Sequence, residues 1–314
     1  MAPPTPTSTV RPDDFDPFWE GVLAAADRLP LNATMERLPL RSDPKVDVYE
    51  VHYDSLDGIR IAGWYCLPTR RDGSLPALLQ LPGYLQDPPI PKAAARDGYA
   101  AFSAAPRGKL RSRAQFDPGY PGLLTDNITD RNTYTYRGFY IDAVRAFDFL
   151  RGRPEVRPDR IGLTGSSQGG GLTIAVAGLR GEQVRAASAG APYLCGFMDA
   201  IRLTRTYPYQ EIGDYLRTFP DSADAVRDTL SYFDGICFGP RISCPIIVNL
   251  GLQDNICPPE TGYSLFDAIG SPDKKLYPYD GCGHDAGRAL HDRVVNAFFA
   301  THLKGEGEEG ENGA

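Results

Sequence analysis

Residues 160–180 have the sequence RIGLTGSSQGGGLTIAVAGLR, which combines a strand pattern, a glycine-rich turn and a helix pattern. Its beginning, RIGLTG, is typical of a short buried strand, and its end, GGLTIAVAGLR, is typical of a helix rich in small residues. The turn between them, GSSQG, matches the pattern G-x-S-x-G with Ser167 at its centre. In that pattern the serine stands in a tight strand-to-helix turn, and the glycines let neighbouring backbone approach. The context predicts Ser167 as a nucleophile. Ser166 lacks flanking glycines in that register, so we expect it either to pack in the core or to support the catalytic residues without reacting itself.

The segments around this turn alternate between strand-like and helical patterns. Four further runs are strand-like: ALLQLPGY, YAAFSAAPRG, PIIVNLGLQD and KKLYPYDG. Four are helical: DFDPFWEGVLAAADRLP, FYIDAVRAFDFLRG, TGYSLFDAIG and DRVVNAFFATHL. Such alternation indicates an α/β protein with a mostly parallel central sheet and helices on both faces. Together with the serine turn, the pattern predicts an α/β-hydrolase fold.

An antiparallel N-terminal hairpin is expected before the alternating part. The runs VDVYEVHYDS and IRIAGWYCLP are joined through Asp57-Gly58, a strong hairpin signal. We expect one domain over residues 13–304, with an irregular, aromatic-rich insertion around residues 191–238. Residues 1–12 and the acidic tail, residues 305–314, are too polar to offset their ordering entropy, so we expect both to be disordered.

Composition excludes several classes of partner. The chain has 33 basic and 40 acidic residues and a net charge of −7, which offers no footprint for nucleic acid or anionic lipid. No apolar run is long enough for a membrane span, and the first residues lack the apolar core of a signal peptide, so we expect a cytoplasmic protein. Six cysteines without a C-x-x-C pair favour neither a zinc site nor a disulfide framework.

A serine nucleophile needs a histidine base and a carboxylate that orients it. In α/β-hydrolases the chain order is serine, acid, histidine, which excludes His52. His291 and His302 fall on the last helical pattern, whereas His284 lies in the loop DGCGHDAG after a strand. Asp254 ends the strand PIIVNLGLQD, where catalytic groups of parallel sheets gather. We therefore predict His284 as base and Asp254 as acid.

Two further carboxylates lie closer to His284 in the sequence than Asp254 does. Asp280 and Asp285 stay as alternatives for the acid, although we expect them to shape the loop. The oxyanion of the reaction needs two backbone N–H donors. The amide after the nucleophile, that of Gln168, is one candidate, and Tyr84 in the turn LPGY is the other.

Several segments resemble the acetyl xylan esterase and cephalosporin C deacetylase group, carbohydrate esterase family seven. They are, in family order, DFDPFWEGVLAAADRLPL, YPGLLTDNI, TYTYRGFYIDAVRAF, GSSQGGGL, TYPYQEIGDYLR, LSYFDG and GLQDNICPPET. The resemblance implies the same triad and oxyanion amides and a deacetylase without metal or other cofactor. It also implies a small acetyl ester of a sugar or related compound as substrate, and a homo-oligomer, usually a hexamer.

One loop departs from the family pattern Arg-Gly-Gln-Gly-x-Ser. The chain has RGKLRS at residues 107–112, so Lys109 and Leu110 replace the glutamine and the second glycine. We expect this loop to border the mouth of the active site and to influence which alcohol is accepted. The candidates for substrate binding are Arg107, Lys109, Leu110, Pro208 and Ile256.

Two other functions remain open at this point. The chain could be a generalist short-acyl carboxylesterase or amidase of the same fold, or a hydrolase-like binding protein without catalysis. Against the second, no member of the triad is missing from the sequence. Cys257 and Cys282 lie close in sequence to Asp254 and His284. We expect their side chains to line the pocket; alternatively, their oxidation or alkylation would inhibit the enzyme.

Overall fold

The computed structural model describes residues 7–305, which form one nine-stranded sheet covered by helices. In chain order the strands are β1 Thr34–Arg37, β2 Val46–Asp54, β3 Arg60–Pro68, β4 Leu75–Leu81, β5 Ala100–Ala105, β6 Val156–Ser166, β7 Ala186–Gly190, β8 Ile246–Gly251 and β9 Lys274–Tyr279. Their order across the sheet is β1-β2-β3-β5-β4-β6-β7-β8-β9. From β5 to β9 neighbouring strands are parallel, and β1, β2, β3 and β5 pair antiparallel. The predicted mostly parallel sheet is confirmed.

Helices cover both faces of this sheet. They are α1 Phe15–Asp27, α2 Lys92–Arg96, α3 Thr135–Arg151, α4 Gln168–Arg180, α5 Phe197–Leu203, α6 Tyr209–Thr218, α7 Ala223–Ser231, α8 Gly235–Phe238, α9 Pro259–Ala268 and α10 Arg288–Phe299. Adjacent residues of β4 show the two layers: Leu79 packs into the large core under α1, α3 and α4, and Leu78 packs with Phe299 and Leu303 on the other face. Within residues 7–305, no helix has the length and apolarity to cross a membrane.

The predicted N-terminal hairpin is β2–β3, with Asp54 opposite Arg60. Asp57 and Gly58 both have positive φ angles, 63° and 70°, which is the conformation that tight hairpin turns require. Two strands were not predicted. β1 is short and fully exposed, and β7 has the sequence AASAG, whose small residues carry no β-branched or aromatic signal although all five are buried.

The start of the chain corrects one expectation. Residues 7–12 were expected to be disordered, but Ser8 donates from its backbone N to Asp199 at 2.8 Å, and Thr9 donates to Asp234 at 3.0 Å. These carboxylates belong to the insertion, residues 191–238, which folds into α5–α8 and supplies partners for a polar segment. Residues 1–6 and most of the predicted tail, residues 306–314, lie outside the described part of the chain.

The N-terminal turn of α4 packs against backbone without intervening side chains. A Cβ on Gly169 would lie 2.1 Å from the carbonyl oxygen of Leu81 at the end of β4. A Cβ on Gly170 would lie 2.6 Å from the carbonyl oxygen of Gly190 at the end of β7. Only glycine permits these contacts, so the run of three glycines sets how closely the helix approaches the sheet.

Replacing Gly169 with Ala should therefore destabilise the fold. We expect the free energy of unfolding to fall by about 1–3 kcal/mol, as for other overpacked sites. Urea denaturation followed by circular dichroism measures this change. Gly21 in α1 is the matched control, because a Cβ there has no heavy atom within 4 Å and Ala gains up to about 1 kcal/mol of helix propensity. A Gly169→Ala variant as stable as the Gly21→Ala variant would contradict the packing argument.

Candidate active site

Ser167 stands between β6 and α4 in a strained backbone conformation, with φ 59° and ψ −121°. Its N–H donates to the Gly190 carbonyl at 2.9 Å, and its own carbonyl accepts from Gly171 and Tyr193, both at 3.0 Å. These bonds fix the turn from three directions, which is how such strain is maintained. Ser166 instead completes β6, paired in register with Gly190.

His284 and Asp254, which were predicted to assist the serine, contact each other. His284 Nδ1 and Asp254 Oδ2 are 2.8 Å apart, and the Asp254 side chain is only 1% exposed. The other oxygen, Oδ1, accepts from the backbone N–H groups of Ile256 at 2.8 Å and Cys257 at 3.0 Å. An aspartate held in this way fixes the imidazole with its proton on Nδ1 and leaves Nε2 free to accept one.

The loops after β8 and β9 bring this pair together. A Cβ on Gly251, the last residue of β8, would lie 1.8 Å from the carbonyl oxygen of Gly283, so the two loops are in backbone contact. The alternative acids are placed differently. Asp280 accepts from the side chain of Gln253 at 2.9 Å and from the Gly281 amide, and Asp285 is exposed.

Cys257 connects the acid–base pair to the serine. Its thiol lies beside the Ser167 hydroxyl, and its Sγ is within 4.8 Å of the nearest ligand atoms of Asp254 and His284. Among the described residues Ser167 makes no hydrogen bond to His284, as is common before substrate tightens the site. The cysteine therefore places all four side chains in one cluster.

The same cluster contains the atom types of a metal site, namely a thiol, an imidazole and a carboxylate. A metal would need the thiolate, but burial and the Asp254 charge raise the pKa of Cys257 well above 9. In addition, Asp254 Oδ2 and His284 Nδ1 already bond to each other. The donors are thus arranged for proton transfer rather than for holding a cation. The buried, protonated Cys257 thiol should also react slowly with alkylating agents.

The two predicted oxyanion donors belong to two different segments, the start of α4 and the loop after β4. Gln168 is the first residue of α4, and its fully buried side chain donates to the Tyr136 hydroxyl at 2.8 Å. Tyr84 follows β4, and its hydroxyl donates to Glu211 at 3.3 Å. Within residues 7–305 neither backbone N–H has a hydrogen-bond acceptor, so both are available to an incoming oxygen.

Comparisons with known proteins identify the family of this chain. The model of the family described as acetyl xylan esterase matches residues 6–303, almost the whole chain. The chain belongs to the acetyl xylan esterase family. The resemblance predicted from the sequence is thereby confirmed.

Other members and solved structures support the assignment to the acetyl xylan esterase family. The acetyl esterase Axe7A of Xylanibacter ruminicola is 27% identical over 287 residues, which cover 85% of this chain and 62% of that protein. This chain thus spans less than two thirds of that relative. The structure of an acetyl xylan esterase from Paenibacillus sp. R4 has 33% identity and a TM-score of 0.89, covering 96% of this chain and 98% of the other.

A second solved structure supports the fold alone. Acetyl xylan esterase 1 from Thermoanaerobacterium sp. JW/SL YS485 superimposes with a TM-score of 0.83 at 24% identity, covering 93% of this chain and 95% of the other. At this identity the likeness shows only that the two proteins share the α/β-hydrolase fold. The predicted fold class is confirmed for this member of the acetyl xylan esterase family.

The loop RGKLRS of this family member corrects the expectation for Arg107. Arg107 is 4% exposed and was predicted to bind substrate, but its guanidinium is fully engaged within the protein. Its Nε donates to Asp142 at 2.9 Å, another N–H donates to Asp57 at 2.8 Å, and a third reaches the Leu56 carbonyl at 3.0 Å. Burial and the Asp142 carboxylate act in opposite directions on the pKa of Arg107, and the carboxylate prevails and raises it.

The other four candidates for substrate contact are distributed between core and surface. Lys109 is 3% exposed and points into the protein, while the adjacent Leu110 is 61% exposed. Ile256 is half-buried beside the acid–base pair, and Pro208 is buried at the start of α6. A role in substrate binding stays a prediction for Leu110, Ile256 and Pro208.

Sequence reasoning missed one residue that shapes the site. Glu211, on α6 in the segment TYPYQEIGDYLR, accepts hydrogen bonds from the backbone N–H groups of Gly122, Leu124 and Thr125 at 2.8–3.2 Å. It also accepts from the Tyr84 hydroxyl. Burial raises its pKa. A carboxylate among aromatic residues in a segment shared with the family was the available signal for it.

Replacing Arg107 with Met tests its structural role. Asp142 would remain buried without its cation, so we expect the free energy of unfolding to fall by about 3–5 kcal/mol. Urea denaturation measures this, and kinetics of the folded enzyme should give a KM for p-nitrophenyl acetate within about twofold of the parent value. Arg113→Met, at an exposed arginine of the same loop, is the control. A stable Arg107→Met variant with a strongly raised KM would restore the substrate-binding prediction.

Proposed function

We propose that this chain is a serine carboxylic ester hydrolase that removes acetyl groups from small O-acetylated substrates such as acetylated xylo-oligosaccharides. The observation that carries the proposal is a cluster in which Ser167, in its strained turn, lies beside the thiol of Cys257, whose Sγ is within 4.8 Å of the nearest ligand atoms of the hydrogen-bonded pair of His284 and Asp254. Membership of the acetyl xylan esterase family supports the same reaction and indicates the acyl group.

The first half of the proposed reaction forms an acetyl-enzyme. The Ser167 Oγ attacks the acetyl carbonyl carbon while His284 Nε2 takes its proton, and Asp254 stabilises the imidazolium. The carbonyl oxygen becomes an oxyanion that the amides of Tyr84 and Gln168 bind. Since Gln168 begins α4, the positive end of the helix dipole favours the same negative charge. The C–O bond then breaks, and His284 returns the proton to the leaving alcohol.

The second half repeats these steps with water. His284 takes a proton from the water molecule, whose oxygen attacks the acetyl carbon of the acetyl-enzyme. The oxyanion forms again on the same two amides, and its collapse releases acetate. His284 gives the proton back to Ser167 Oγ, so the enzyme returns to its starting state without any added cofactor.

An aromatic row beside the site supports a sugar as the alcohol. Tyr84 contacts Tyr120 with ring centroids 5.8 Å apart, and Tyr120 contacts Tyr207 at 6.0 Å. Tyr120 and Tyr207 are 47% and 36% exposed, so part of each ring faces solvent next to the oxyanion tyrosine. Exposed apolar surface of this kind marks ligand grooves, and ring faces suit the apolar faces of sugars.

Two finer points belong to the same proposal. We expect a homo-oligomer, with the hexamer implied by the family resemblance as the first possibility, and a cytoplasmic location. Light scattering on the purified chain and fractionation of the source cells test them.

The nucleophile is tested by comparing Ser167→Ala with Ser166→Ala on p-nitrophenyl acetate. We expect Ser167→Ala to lose about three to six powers of ten in turnover, as for other broken triads, and Ser166→Ala to lose little. Labelling of the parent enzyme by a fluorophosphonate at Ser167, read by mass spectrometry, separates an active hydrolase from a non-catalytic binding protein. The proposal fails if the two serine variants behave in the opposite way. Butyryl and longer esters hydrolysed as fast as acetyl would indicate a generalist carboxylesterase.

The aromatic row is tested by Tyr120→Ala. We expect KM for an acetylated xylo-oligosaccharide to rise about three- to tenfold, in line with the worth of an aromatic contact. KM for p-nitrophenyl acetate, which has no sugar, is the internal control and should change less. Equal changes for the two substrates would show that the ring does not recognise the sugar.

A further inference from the structure

Lys109 is a buried lysine whose side chain reaches the loop that carries the candidate oxyanion donor, Tyr84. Its Nζ donates to the carbonyl oxygen of Gly83 at 2.5 Å. The only other donor to that oxygen within residues 7–305 is the backbone N–H of Gln86, at 3.4 Å. The bond from Lys109 is therefore the shorter of the two that the Gly83 oxygen accepts.

The Gly83 carbonyl belongs to the same peptide unit as the Tyr84 N–H. A trans peptide is planar, and its C=O and N–H groups point in opposite directions. A group that holds the Gly83 oxygen on one side therefore turns the Tyr84 N–H toward the other side. We propose that Lys109 is a positioning residue that aims the Tyr84 amide at the substrate oxyanion through its bond to the Gly83 carbonyl.

The cost of burying this lysine supports a specific role. Lys109 is 3% exposed, and none of the described carboxylates forms an ion pair with its Nζ, although the charge of Asp87 acts on it from a distance. An ammonium buried without a close carboxylate is costly, whereas an aliphatic side chain of the same size would fill the space without that penalty. The rings of Tyr84 and Phe139 lie 5.8 and 5.9 Å from Nζ and offset part of the cost.

The protonation state of Lys109 agrees with this geometry. Burial lowers the pKa of Lys109 to about 7, and the charge of Asp87 opposes the shift. A lysine amine retains N–H donors in both protonation states, so the bond to Gly83 persists across neutral pH.

The test compares Lys109→Met, which fills the space without a donor, with Lys109→Gln, which keeps a neutral N–H donor. For Lys109→Met we expect kcat on p-nitrophenyl acetate to fall about ten- to hundredfold, as for a misplaced catalytic group, with KM within about threefold. Lys109→Gln should recover part of this loss. Lys275→Met, the same change on an exposed lysine of β9, is the matched control.

A second readout separates aiming of the amide from a merely structural effect. Trifluoroacetone adds to an active serine and forms an oxyanion in the hole, so its inhibition constant should rise in proportion to the loss in kcat/KM. A Lys109→Met variant with kcat within twofold of the parent, or with unchanged trifluoroacetone affinity, overturns the inference.

The inference rests on the proposed esterase function, and the two can fail separately. A parent enzyme without Ser167-dependent esterase activity would refute the function. An active parent with an unaffected Lys109→Met variant would refute only the role of Lys109.

Discussion

The contact between the first turn of α4 and the ends of the neighbouring strands is the constraint on which the rest of the site depends. Gly169 and Gly170 bring the helix against the carbonyl oxygens of Leu81 and Gly190, closer than any side chain allows. The positive φ of Ser167 follows, because the chain must reverse within one residue to begin the helix at that distance. The same approach sets the Gln168 amide beside the end of β4, where the loop with Tyr84 begins. One packing distance therefore fixes both the nucleophile and the geometry of the oxyanion donors.

The acid and base depend on a second backbone contact, between Gly251 and the carbonyl of Gly283. Because β8 and β9 are parallel neighbours, their loops emerge at the same edge of the sheet, and this contact brings Asp254 to His284. The buried Asp254 is satisfied by two backbone amides and one imidazole, so its charge needs no additional cation. The pair is thus assembled by strand order, independently of the helix that presents the serine.

Sequence patterns predicted the parts of this structure that arise from local rules. The serine turn, the hairpin through Asp57 and the strand–helix alternation each follow from periodicity or from glycine at a tight turn. The patterns failed where a distant partner decides: β7 is a strand because β6 and β8 flank it, and Ser8 is ordered because Asp199 accepts its amide. The burial of Arg107 depends likewise on Asp142, on a helix far along the chain. The charge of Arg107 favoured a position at the surface, and the spacing of residues in the sequence does not indicate that Asp142 would pair with it in the core.

Two buried ionisable side chains, Glu211 and Lys109, act on the loop that contains Tyr84. The Glu211 carboxylate accepts a hydrogen bond from the Tyr84 hydroxyl and from the backbone amides of Gly122, Leu124 and Thr125. Lys109 donates a hydrogen bond to the Gly83 carbonyl, which belongs to the same peptide as the Tyr84 amide. Burying either group is unfavourable unless hydrogen bonds replace its water, and each group makes those bonds with loops rather than with the sheet.

The loop RGKLRS, which departs from the family pattern, therefore acts inside the protein through Lys109, whose bond affects the direction of the peptide between Gly83 and Tyr84. The same loop reaches the surface through Leu110. A change in this loop can alter catalysis without contacting the substrate, because the direction of the Tyr84 N–H depends on how firmly the Gly83 carbonyl of the same peptide is held.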